Sequence, residues 1–168
     1  MVAPAVNGAP PVQVADAEAM RALGGRLARV LEAGDLVLLG GELGAGKTTL
    51  AQGIGAGLGV RGPVTSPTFV IARVHPSLSG GPPLVHVDAY RLGGWDELED
   101  LDLEATLDEA VTVVEWGEGF AEGLAPDRLE VHIHRGIGNP VADVDEVRDV
   151  TVVGVGARWA GIDLTAGS

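Results

Sequence analysis

A three-layer α/β/α domain on a mostly parallel sheet, with antiparallel strands toward its C-terminal end, is predicted by three features of the chain. The apolar run "LVLL", Leu36 to Leu39, leads into a glycine-rich turn and then an apolar helical stripe. Two further short apolar runs, "LVHVD" and "VTVVE", each end on a carboxylate and are spaced for helical crossovers. The last third, with "RLEVHIHR" and "VRDVTVVGV", alternates as strands do and carries little helical pattern.

In chain order, residues 1–11 are rich in Ala, Pro, Val and Gly without periodicity and read as a loose tail. Asp16 is placed to cap a helix whose stripe is Met20, Leu23, Leu27, Val30 and Leu31, with Gly34 as its stop. After the strand Leu36 to Leu39, a second helix is outlined by Leu50, Ile54 and Leu58. Gly53, Gly55 and Gly57 weaken it by about 1 kcal/mol each relative to Ala, so packing has to hold it. A Ser-Pro turn in "VTSPTF" enters a strand from about Phe69 to Val74, followed by the strands Leu84 to Asp88 and one ending at Glu115. The expected organisation is one domain over residues 12–158, with residues 159–168 a second tail and no internal repeat.

Composition narrows the function. The net charge is −13, which disfavours strong unaided binding to tRNA or any other polyanion. Eight of the fourteen positions from Asp96 to Glu109 are acidic, read as a solvated helical face or a docking surface for a basic partner. There is no cysteine, hence no disulfide and no thiolate metal site. No apolar run approaches the roughly 18 residues of a membrane span, and no basic residue precedes Arg21, so a cytoplasmic protein without membrane association is expected.

Lys and Arg total eleven, and Lys47 is the single lysine. It stands in "GELGAGKTT", where Gly41, Gly46, Lys47 and Thr48 fit G-x-x-x-x-G-K-[ST] between a strand and a helix. Glycines let Glu42, Leu43, Gly44 and Ala45 turn their N–H groups toward phosphate oxygens, and the helix N-terminus adds its positive dipole end. A compact ammonium reaches the terminal phosphates where the broad arginine fork does not fit. Thr48 supplies a hydroxyl for Mg²⁺, and Thr49 follows it into the helix. Asp88 and Glu115 end strands on the side where open α/β sheets bind ligands, so either can support Mg²⁺ or orient water; the division between them stays open. Ser66 and Thr68 flank Pro67 as hydroxyls that either sense a γ-phosphate or simply form a turn. Arg91 after Asp88 is equally a charge stabiliser or a surface ion pair. His132 and His134 alternate on one strand face and read as structural.

Together "GELGAGKTT", "VTSPTF", "HVDAYRL" and "VEWGE", in this order, resemble the TsaE (YjeE) family of bacterial P-loop ATPases, which serve the tRNA modification threonylcarbamoyladenosine. The resemblance runs from about Val14 to Val153. It implies ATP and Mg²⁺ as cofactors and the TsaB and TsaD proteins as partners, with hydrolysis resetting that complex between turnovers. By match of motif, Lys47 binds phosphate, Thr48 and Glu115 hold Mg²⁺, and Asp88 sits by the γ-phosphate as metal support or water activator. Ser66 and Thr68 belong to a switch-like loop, and Trp116 to the strand-end motif. The resemblance also sets Asp16 and Ala17 near the adenine and lets Arg148 approach the nucleotide. Three other readings share the phosphate loop. A GTPase needs an Asn-Lys-x-Asp element that a single lysine in the phosphate loop rules out. A small-molecule kinase needs an arginine-bearing lid, whereas the seven arginines after the loop are scattered. A nucleotide-dependent binding switch with negligible hydrolysis separates from an ATPase by partner-stimulated turnover.

Overall fold

The computed structural model describes residues 6–8, 11–41, 46–62, 64, 72–88, 107–115, 127–135, 147–162 and 164. The elements are β1 (Val6–Gly8), β2 (Val12–Val14), α1 (Ala17–Ala28), β3 (Leu36–Gly41), α2 (Lys47–Leu58), β4 (Ala72–His75), β5 (Leu84–Asp88), β6 (Val111–Glu115), β7 (Arg128–Arg135) and β8 (Arg148–Val155), then a short 3-10 turn at Ala157–Trp159. One sheet contains all eight strands, in the order β1-β8-β7-β3-β6-β5-β4, with β2 also on β8. Its centre, β7-β3-β6-β5, is parallel, and β8 and β4 close the two sides antiparallel. The antiparallel C-terminal strand was expected; the antiparallel β4 on the far side was not.

Register determines which residues share a face. Val37 and Leu39 of β3 align with Val113 and Glu115 of β6 and with Leu129 and Val131 of β7. His86 and Asp88 of β5 align in turn with Val113 and Glu115. This face carries α1 and α2, whose Met20, Leu23, Leu27, Leu50, Ile54 and Leu58 pack into the same cluster as the strand residues. On the opposite face Leu36, Leu38, Val85, Val87 and Val114 are also buried, as a sheet with both faces covered requires. The acidic segment expected as a helix, Asp96 to Glu109, lies mostly outside the described residues.

The glycines of α2 have a packing purpose. A Cβ at Gly53 would overlap the carbonyl of Arg21, and one at Gly57 would lie 2.6 Å from the Cβ of Ala28. The two helices therefore pack backbone to backbone, and this close approach compensates the poor helix propensity.

Three expectations need correction. Helix α1 ends at Ala28, short of Val30 and Leu31: the N–H groups of Arg29, Val30 and Leu31 bond three residues back, to Arg26, Leu27 and Ala28, so the α ladder tightens and stops. Arg158 Nη2 donates to the Val30 carbonyl at 2.6 Å, and the Asp35 carboxylate accepts from the Glu32 N–H at 2.7 Å. Val6–Gly8, inside the expected loose tail, pairs antiparallel with Val153 to Val155, satisfying the outer backbone groups of β8. The core also extends past residue 158: Trp159 is fully buried, Leu164 is 4% exposed, and the Arg158 guanidinium lies 4.3 Å from the centre of the Trp159 ring.

Candidate nucleotide site

The buried strand β3 delivers the chain to Gly41, and α2 restarts it after Gly46. Gly46 has φ 114°, a left-handed conformation that side chains rarely adopt, and a Cβ there would press to 3.2 Å on Met20 Cε. Among the described residues no side chain caps α2 and no acid lies in its first turn, which suits its positive end to an anion. Helix α1, by contrast, is capped by Asp16, whose carboxylate accepts from the Ala19 N–H at 2.8 Å.

Lys47, the first residue of α2, is 5% exposed. Its Nζ donates to the Gly41 carbonyl at 2.9 Å, so the ammonium turns back toward the end of β3. Burial lowers its pKa from the usual 10.5, and the carboxylates of Glu115 and Asp88 partly oppose this. Both acids are thus within electrostatic reach of the lysine. Thr48 Oγ1 donates to Glu115 Oε1 at 3.3 Å. Asp88 stands beside Glu115 in the parallel register of β5 and β6, half-buried where Glu115 is 5% exposed.

The structure thus unites Gly41, Gly46, Lys47, Thr48, Glu115 and Asp88 at the carboxyl ends of β3, β6 and β5. Thr49 follows in the first turn of α2, half-buried. Ala17 opens α1, exposed, one turn before the Met20 that packs on Gly46. Arg148 opens β8 opposite Arg135 at the end of β7, and opposite Val14. That places it at the same end of the sheet as the site, two strands from β3. Glu42, Leu43, Gly44, Ala45, Ser66, Thr68, Tyr90, Arg91 and Trp116 lie outside the described residues. His132 and His134 stack with ring centres 6.4 Å apart on the other sheet face, away from this cluster.

One site residue escaped the sequence reading. His86, fully buried, forms a hydrogen bond from Nε2 to Glu115 Oε2. The signal was in "LVHVD": two positions apart on a strand, His86 and Asp88 face the same side, toward whatever the neighbouring strand ends on.

Would these residues accommodate Mg²⁺? Neighbouring oxygens around an octahedral ion with bonds of about 2.1 Å lie about 3 Å apart. Thr48 Oγ1 and Glu115 Oε1 already have nearly that spacing. Among the described residues no group of three or more His, Asp or Glu forms a complete protein cage. A magnesium ion that takes its remaining ligands from water and phosphate is compatible with such a sparse donor set.

A parallel sheet, a helix starting at Gly-Lys-Thr, and strand-end carboxylates facing that start define a P-loop NTPase fold. The family model for threonylcarbamoyl adenosine biosynthesis protein TsaE matches residues 14–139. The chain belongs to the TsaE family. It is 67% identical over 147 residues to the tRNA threonylcarbamoyladenosine biosynthesis protein TsaE of Streptomyces coelicolor, covering 87% of this chain and 97% of that one. The protein of the same name from Bacillus subtilis is 37% identical over 143 residues, 84% of either chain. The crystal structure of Bacillus subtilis YdiB superposes with a TM-score of 0.69 at 31% identity, covering 92% of this chain and 90% of that one.

Proposed function

We propose that the protein is an Mg-ATP-dependent ATPase of tRNA threonylcarbamoyladenosine synthesis, acting in the cytoplasm on the TsaB–TsaD complex and resetting it after each turnover. The observation that carries this reading is the meeting of Thr48 with Glu115 beside the buried Lys47. The relatives' names supply the pathway, and the family resemblance supplies the partners.

In this reading the uncapped start of α2 and the loop N–H groups bind the β- and γ-phosphates, and Lys47 exchanges its bond to the Gly41 carbonyl for phosphate oxygen. Thr48 and Glu115 hold Mg²⁺, which when bound screens phosphate charge from the two carboxylates. Asp88, at the next strand end, accepts a hydrogen bond from the attacking water and orients it in line with the γ-phosphate. Arg148, at the site end of β8, approaches the nucleotide, and Ala17 borders the adenine. The net charge of −13 suits a subunit that leaves tRNA to its partners.

The test is phosphate release from Mg-ATP by the purified chain, alone and with TsaB and TsaD of the same organism. Slow turnover alone and strong stimulation by the pair is the expected result. Tight ATP binding with no stimulation would leave a docking switch in place of an ATPase.

A further inference from the structure

The Glu115 carboxylate is held at both oxygens: Oε1 receives the Thr48 hydroxyl and Oε2 receives the His86 ring. His86 is fully buried, aligned with Val113 on the apolar helix-bearing face of the sheet. Its Nδ1 is buried with no hydrogen-bond partner among the described residues. An aliphatic side chain would fill such a position without orphaning a polar atom. Pairing of β5 with β6 already runs from Leu84–Val111 to Asp88–Glu115 through the backbone, so the strands do not need this side-chain bond for alignment.

We infer that His86 is a positioning residue for the metal site: its Nε2–H anchors Glu115 Oε2 and thereby aims Oε1 at the space shared with Thr48. The inference rests on the reading of Glu115 as a magnesium ligand. With the ring proton on Nε2, Nδ1 is left as a bare lone pair, the less costly of its possible unpaired states. A carboxylate at a strand end otherwise samples several rotamers, and each order that the protein imposes beforehand is one the ion does not have to impose on binding.

The experiment titrates ATP binding calorimetrically against MgCl₂, and in EDTA, for four variants. His86→Leu removes the donor, His86→Gln replaces it near Nε2, and His86→Asn moves it toward Nδ1. Glu115→Gln removes the ligand charge. His86→Leu and His86→Asn are expected to raise the MgCl₂ concentration for half-maximal effect by about tenfold or more, the range for losing a partner of a metal ligand. His86→Gln stays within about threefold, and binding in EDTA is unchanged for the three His86 variants, which leave the charge beside the phosphates as it was. In a Glu115→Gln background, His86→Leu adds no further shift. If His86→Leu does not fold, the contrast between the Gln and Asn variants decides alone. Equal metal dependence in those two, or a shift from His86→Leu that persists without Glu115, would overturn the inference. Should Glu115→Gln itself keep the wild-type metal dependence, the ligand reading fails and this inference with it. A shifted Glu115→Gln beside an unshifted His86→Leu would sink the His86 role only.

Discussion

Thr48 and Glu115 are 67 residues apart in the chain, yet the hydroxyl of one donates to the carboxylate of the other at 3.3 Å. The contact exists because β3 and β6 run parallel and end together, with α2 starting directly above them. Replacing Glu115 by Ala is expected to weaken the magnesium dependence of nucleotide binding by about tenfold or more, with binding in EDTA no weaker than in the wild type because a repelling carboxylate is gone. Calorimetry with and without MgCl₂ reads this directly. An unchanged metal requirement would transfer the role to Asp88.

Asp88 makes a different prediction although it sits beside Glu115 in register. If it orients water, Asp88→Ala leaves ATP affinity within a few-fold of the wild type. Partner-stimulated phosphate release falls by about 10²–10⁴, the range typical of a lost acid-base group. Equal losses of affinity and turnover would make Asp88 a binding residue.

The helix pair offers a stability test in which two identical substitutions have opposite signs. An Ala at Gly25, where a Cβ meets nothing within 4 Å, should raise stability by about 0.5–1 kcal/mol through helix propensity. An Ala at Gly53 gains the same propensity but overlaps the Arg21 carbonyl, which is rigid backbone, and should lower stability by about 1–3 kcal/mol. Urea unfolding of the two variants distinguishes them. A stabilising Gly53→Ala would show that α1 and α2 do not pack this closely.

His75 predicts a pH effect. Its ring is buried, with Nδ1 on the Arg61 carbonyl at 3.3 Å and Nε2 without a partner among the described residues. Burial, ahead of the opposing carbonyl bond, lowers its pKa from 6.5. The unfolded chain therefore takes up a proton at a pH where the folded chain does not, and stability is lost as pH falls below 6.5 through the folded value. The melting temperature should fall more between about pH 7 and pH 5 for the wild type than for His75→Gln, which does not titrate there. Parallel profiles would remove His75 as the cause.

Much of the frame was legible in the residues. The strands Leu84–Asp88 and Arg128–Arg135 lie where their patterns put them, because a two-residue alternation or a short apolar run bounded by turns has few other solutions. The phosphate loop was legible because glycine, lysine and threonine at that spacing, between a strand and a helix, have a mechanical reason. Pairing was harder. Val6–Gly8 becomes a strand only because β8 has an open edge, a fact of tertiary structure. The turn that follows α1 is fastened at Val30 by Arg158, far along the chain. His86 was passed over because its partner lies on another strand, and only the parallel register brings the two together.

The central claim is that Lys47 closes a nucleotide site at the start of α2. Its most direct test is calorimetric titration of Mg-ATP into the wild type and Lys47→Ala, with circular dichroism confirming that both are folded. Saturable binding by the wild type and none by Lys47→Ala at the same concentrations is the predicted result. Equal binding by the two proteins would contradict it.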